Sequence, residues 1–130
     1  MFKSPRLSKT VLLVGDGDDV RRMIGEFLES WGMQVLQASS AKEAIQSVLS
    51  FPGPIDLLLT DIEMPGMDGL ELAKEVATLK PGVRIVYMSG GKTPEDWRKA
   101  EGLQTGSLFL QEPFRMDELK TLISSTLAVP

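Results

Sequence analysis

Apolar and polar positions along the chain follow two alternating rhythms. Val11, Leu12, Leu13 and Val14 form an apolar run without interruption. Such a run suits a parallel strand covered on both faces. Val20, Ile24, Phe27, Leu28 and Trp31 then recur at the 3.6-residue period of a helix, with Asp18 or Asp19 as its cap and Gly32 as its stop. Residues 33–36 predict a second strand. Ser40 and Glu43 form a capping box ahead of the stripe Ala41, Ala44, Ile45, Val48 and Leu49. The sequence Phe51-Pro52-Gly53-Pro54 ends that helix.

Residues 55–59 predict a third strand, running into Thr60 and Asp61. Pro65, Gly66 and Gly69 mark a loop before a third helix over 70–79, which Pro81-Gly82 closes. Val83, Ile85, Val86 and Tyr87 make a fourth strand, followed by Ser89-Gly90-Gly91. Thr93 as cap and Pro94 at the first helical position open a fourth helix through Asp96, weakened near Gly102. Residues 107–110 predict a fifth strand. A last helix after Pro113 carries Leu119, Leu122, Ile123 and Leu127. Strands alternating with helices imply an α/β fold, a five-stranded parallel sheet doubly wound by helices on both faces. The expected organisation is a short tail over 1–9 and one domain over 10–130, with no residues left for a second domain.

Composition narrows the chemistry. The 130 residues hold no Cys and no His. Thiol catalysis, disulfides, thiolate metal sites and histidine phospho-carriers are thereby excluded. The formal net charge of −4 leaves no basic surplus to neutralise phosphates, so direct nucleic-acid binding is not expected. No apolar run approaches the roughly 18 residues of a membrane span. Lys3, Arg6 and Lys9 are not followed by a signal core, which points to a cytoplasmic protein without membrane contact.

In an open parallel sheet, ligands bind beyond the carboxyl ends of the strands. The residues there are Gly15 and Asp16 after the first strand, Asp61 after the third, Ser89 after the fourth and Glu112 after the fifth. If the first and third strands are neighbours, Asp16 and Asp61 meet. An oxygen donor set of that kind suits Mg2+, which takes one or two carboxylates and keeps several waters. The bland alternative for any single acid is a solvated side chain or a helix cap, and it fits Asp18 and Asp19 best.

The segment Asp56-Leu57-Leu58-Leu59-Thr60-Asp61-Ile62-Glu63-Met64-Pro65-Gly66-Met67-Asp68-Gly69 resembles the phospho-acceptor segment of response-regulator receiver domains. Val86-Tyr87-Met88-Ser89-Gly90 resembles that family's switch-hydroxyl segment, and Phe109-Leu110-Gln111-Glu112-Pro113-Phe114 its lysine-proline segment. The resemblance implies a flavodoxin-like sheet of order 2-1-3-4-5 and two-component phosphorelay signalling. It implies Asp61 as acceptor of a phosphoryl group from a histidine kinase or histidine phosphotransfer protein. Asp16, Asp61 and the backbone carbonyl of Glu63 would hold Mg2+, Ser89 would be the switch hydroxyl and Phe109 the switch aromatic. Such a domain is not an enzyme beyond self-catalysed phosphotransfer and dephosphorylation. It works beside other domains of a larger signalling protein, as a homodimer, or alone.

Two positions depart from the family pattern. Gly15 stands where a further acid is usual, and Glu112 where the lysine is usual. Two unit charges ~5 Å apart at an effective dielectric of 20 interact by roughly 3 kcal/mol. Exchanging attraction for repulsion therefore costs up to about 6 kcal/mol before solvent and rotation reduce it. Two functions stay open: a working phospho-acceptor, and a pseudo-receiver that binds partners with little or no phosphorylation. A flavin-binding protein is disfavoured, because Asp16, Asp18 and Asp19 would repel a phosphate. The remaining conspicuous residues have simpler readings: Trp97 packs on its own domain, the dispersed Met fill the core, and Arg21 and Arg22 form a solvated helix face.

Overall fold

The computed structural model describes residues 9–91, 96 and 106–129. Its elements are β1 (Thr10–Val14), α1 (Asp18–Ser30), β2 (Gln34–Ala38), α2 (Ala41–Ser50), β3 (Leu57–Asp61), α3 (Gly69–Leu79), β4 (Arg84–Ser89), β5 (Leu108–Gln111) and α4 (Met116–Leu127). All strand pairs are parallel, in the order β2-β1-β3-β4-β5. The expected fourth helix around Thr93, Pro94 and Gly102, together with Trp97 and the tail residues Lys3 and Arg6, lies outside the described residues. Asp96 is helical and exposed.

The pleat divides the apolar runs between two cores. Leu12, Val14, Leu58, Ile85 and Tyr87 pack on one face with Ala44, Val48, Leu72 and Val76 of α2 and α3. Val11, Leu13, Leu57, Leu59, Val86 and Met88 pack on the other with Ile24 and Leu28 of α1 and Leu119 and Ile123 of α4. Both faces of the sheet are therefore covered, which is why its central strands read as continuous apolar runs. Across β1 and β3, the Thr10 N–H donates to Asp56 Oδ2 at 2.8 Å, and the Asp56 N–H donates to the Thr10 carbonyl at 2.9 Å. Among the described residues no helix is long and apolar enough to cross a membrane.

Several boundaries differ from the sequence expectation. Neither Asp18 nor Asp19 caps α1; Gly17 does, without a side-chain hydrogen bond. Both acids fall in the first turn, where they face the positive end of the helix dipole. Met33 precedes β2 rather than opening it. Its N–H closes the C-terminus of α1 on the Leu28 carbonyl at 3.1 Å, made possible by Gly32 at φ 99°. The capping box of α2 is displaced by one residue: Ser40 Oγ accepts from Glu43 N–H, but the Glu43 carboxylate accepts from Ser39. β3 starts at Leu57 rather than Ile55 and ends, as expected, on Thr60-Asp61, while β4 runs from Arg84 past Tyr87 through Met88-Ser89. β5 is likewise shifted by one, to end at Gln111.

Candidate functional site

The carboxyl ends of β3 and β4 set the site. Thr60 and Ser89 are polar yet buried, so the strands carry them to the sheet's carboxyl edge within the hydrogen-bonded ladders. Asp61 is the last residue of β3. Gly69 keeps it there: a β-carbon on Gly69 would strike the Asp61 carbonyl and the Ile62 backbone. The α3 N-terminus can therefore press directly against the end of β3, and its N-cap Asp68 accepts from the Glu71 N–H at 2.9 Å.

Asp16 and Asp61 line one cavity of about 290 Å³, together with Glu63, Ser89, Gly91 and Glu112. The convergence expected of Asp16, Asp61, Ser89 and Glu112 is thus observed. A smaller adjoining cavity of about 170 Å³ is lined by Gly15, Asp16, Arg21, Asp61, Met88 and Glu112, among others. Glu112 is held at the rim by its own backbone, whose N–H donates to the Ser89 carbonyl at 2.8 Å. The peptide bond from Glu112 to Pro113 is cis.

Burial and like charge act together on Asp61. Desolvation, then the charges of Glu112 and Asp16, a hydrogen bond with Glu112 and the charge of Glu63 raise its pKa to about 7. At neutral pH a large share of Asp61 therefore carries a proton.

Ser89 Oγ donates to Glu63 Oε1 at 2.8 Å. Gly91 leaves room for that carboxylate, since a β-carbon there would stand 2.9 Å from Glu63 Oε2. This side-chain role of Glu63 was not legible in the sequence, where only its backbone carbonyl was expected to matter. Phe109 is half-buried and packs against Tyr87, with ring centroids 5.3 Å apart.

Arg21 corrects the expectation of a solvated face. Its side chain is only 10% exposed. Nη1 donates to the Gly15 carbonyl at 2.8 Å and Nε donates to Gln37 Oε1 at 3.2 Å, while Nη1 also pairs with Asp18 at 2.8 Å. Gln37 reaches Arg21 across Gly25, where a β-carbon would collide with its amide. The one sequence signal was Gly25 itself, a helix-interior glycine that costs about 1 kcal/mol relative to Ala. Arg22 is exposed, as expected.

Among the described residues no group of three or more acidic side chains is disposed to hold a metal ion by itself. The oxygen donors at the pocket, two of them the carboxylates of Asp16 and Asp61, still fit Mg2+, which binds through few protein ligands and retains water.

The family model of the response regulator receiver domain matches residues 11–124. The chain is 34% identical to the sensor kinase CckA of Brucella abortus over 122 residues, which is 92% of this chain and 13% of the kinase. It is 39% identical to the response regulator receiver protein CpdR of the same organism over 85 residues, 63% of this chain and 67% of that protein. Among solved structures, a response regulator receiver protein from Sinorhizobium medicae superposes with a TM-score of 0.82 at 28% identity, covering 94% of this chain and 96% of that one.

Proposed function

The chain belongs to the response regulator receiver domain family, and from that premise we propose that it is a phosphorelay module accepting a phosphoryl group on Asp61. The observation that carries this reading is the meeting of Asp16, Asp61 and Ser89, from three different strand ends, in one pocket. A deprotonated Asp61 oxygen forms the new bond to phosphorus as the bond from phosphorus to the donor's histidine nitrogen breaks. Asp16, Asp61 and the Glu63 carbonyl would hold Mg2+, which when bound offsets the phosphoryl charge. Ser89 receives a phosphoryl oxygen once it releases Glu63. Phe109, packed on Tyr87, is the aromatic that would register the change.

The donor on this reading is a histidine kinase or histidine phosphotransfer protein in the cytoplasm. The module spans 10–130 and serves either a larger signalling protein, as the likeness to a segment of CckA suggests, or a separate partner, as CpdR suggests. Self-catalysed transfer and dephosphorylation are its only chemistry. One observation favours a second reading, a pseudo-receiver: Glu112 stands beside Asp61 in place of a cation and its charge helps raise the Asp61 pKa. Intact mass after incubation with acetyl phosphate and Mg2+ decides. One added phosphoryl group, absent in Asp61→Asn, supports the acceptor. No addition at any donor concentration supports the pseudo-receiver.

A further inference from the structure

Gly15, directly after β1, has no side chain, and the Asp61 carboxyl group reaches toward the space a side chain there would take. A β-carbon on Gly15 would stand 2.8 Å from Asp61 Oδ2 and 3.5 Å from its Cγ. Among the described residues, only Asp61 comes within 4 Å of that position, leaving out the neighbours of Gly15 in the chain. In strand order, Glu112 belongs to the other side of Asp61. β3 lies between β1 and β4, and Glu112 follows β5, tied through its N–H to Ser89 at the end of β4. Gly15, Asp61 and Glu112 line one cavity.

We infer that Gly15 and Glu112 are a compensating pair that positions Asp61: an acid on the β5 side is accommodated because residue 15 offers neither bulk nor charge on the β1 side. A carboxylate at residue 15 would make the Asp61 carboxyl group shift and, with Glu112 retained, add a second like charge beside it. Replacing Glu112 by a cation would remove one of those charges and draw Asp61 away from β1. The same change at residue 15 therefore has different consequences depending on residue 112. The pair deepens the proposed function, and its signalling importance rests on Asp61 being the acceptor.

The test is a cycle of thermal unfolding at pH 8 with a chelator present, so that Asp61 is ionised and no cation intervenes. Gly15→Asp should lower Tm by about 5 °C or more in the wild-type protein. With Glu112→Lys present, the same change should cost less than half of that, or stabilise. Repeating the cycle in Asp61→Ala should shrink the coupling, because it passes through Asp61. If Gly15→Asp does not fold, Gly15→Ala replaces it: its loss in Tm should be relieved by Asp61→Ala. Equal shifts in both backgrounds overturn the pair, as does a coupling that survives Asp61→Ala intact. Beryllofluoride and acetyl phosphate uptake on the same proteins keep the two readings apart. Uptake by none of them sinks the acceptor and leaves the cycle standing; normal uptake with a flat cycle sinks the pair alone.

Discussion

The Ser89 hydroxyl is hydrogen-bonded to the Glu63 carboxylate at 2.8 Å, so the group that would meet a phosphoryl oxygen is already engaged. A bound phosphoryl mimic must break that bond and accept a nearby negative charge. Glu63→Ala removes both penalties. It should tighten Mg2+-dependent beryllofluoride binding by about fivefold, the equivalent of one modest hydrogen bond of roughly 1 kcal/mol. Ser89→Ala should weaken binding instead. Amide-shift titrations of the two variants check this; equal affinities in Glu63→Ala and wild type would remove Glu63 from the account.

Asp61 links proton binding to stability. Its pKa is raised from 3.8 to about 7, chiefly by burial and by Glu112. Between about pH 4 and pH 7 the folded protein thus binds a proton that the unfolded chain has released. Stability should fall as pH rises through that window and level off above it. Urea unfolding in chelator at a series of pH values measures the slope. Asp61→Asn should flatten it, and a carbon-13 titration of the Asp61 carboxyl should show a midpoint near neutrality.

Arg21 fastens the acid loop to β2 and α1. Its guanidinium serves the Gly15 carbonyl and Gln37 at once, and little of it meets solvent. Arg21→Ala leaves both acceptors without this donor and should cost about 2 kcal/mol in urea unfolding. Arg21→Lys should recover only part of that, because an ammonium lacks the planar fork that reaches two acceptors. Full recovery would mean that charge alone matters at this position.

Much of this architecture was legible because each core leaves a periodic trace. The runs at Val11–Val14 and Ile55–Leu59 marked strands, and the 3.6-residue stripes of α1 and α2 marked their inward faces, except that Val20 and Leu49 point to solvent. Strand ends were less legible. Thr60 and Ser89 are buried polar residues, and hydrophobic pattern alone treats such residues as loop. The convergence of Asp16, Asp61, Ser89 and Glu112 followed from strand order, since each of them ends or follows a strand. What each carboxylate does there did not follow. That Asp61 leans toward Gly15, that Glu63 holds Ser89, and that Arg21 turns inward to the Gly15 carbonyl are side-chain directions, and chain spacing carries no record of them.

On the proposed function, a phosphoryl group can be seated on Asp61 in a pocket that Glu112 makes hostile to it. Beryllofluoride with Mg2+, followed by fluorine NMR, tests this most directly. Wild type should show weak protein-bound fluoride signals. Glu112→Lys should strengthen binding tenfold or more, on the order of 1.4 kcal/mol, a fraction of the charge reversal. Asp61→Asn should abolish the signals in both backgrounds. Bound fluoride that persists in Asp61→Asn, or its absence from Glu112→Lys, would rule out Asp61 as the phosphoryl seat.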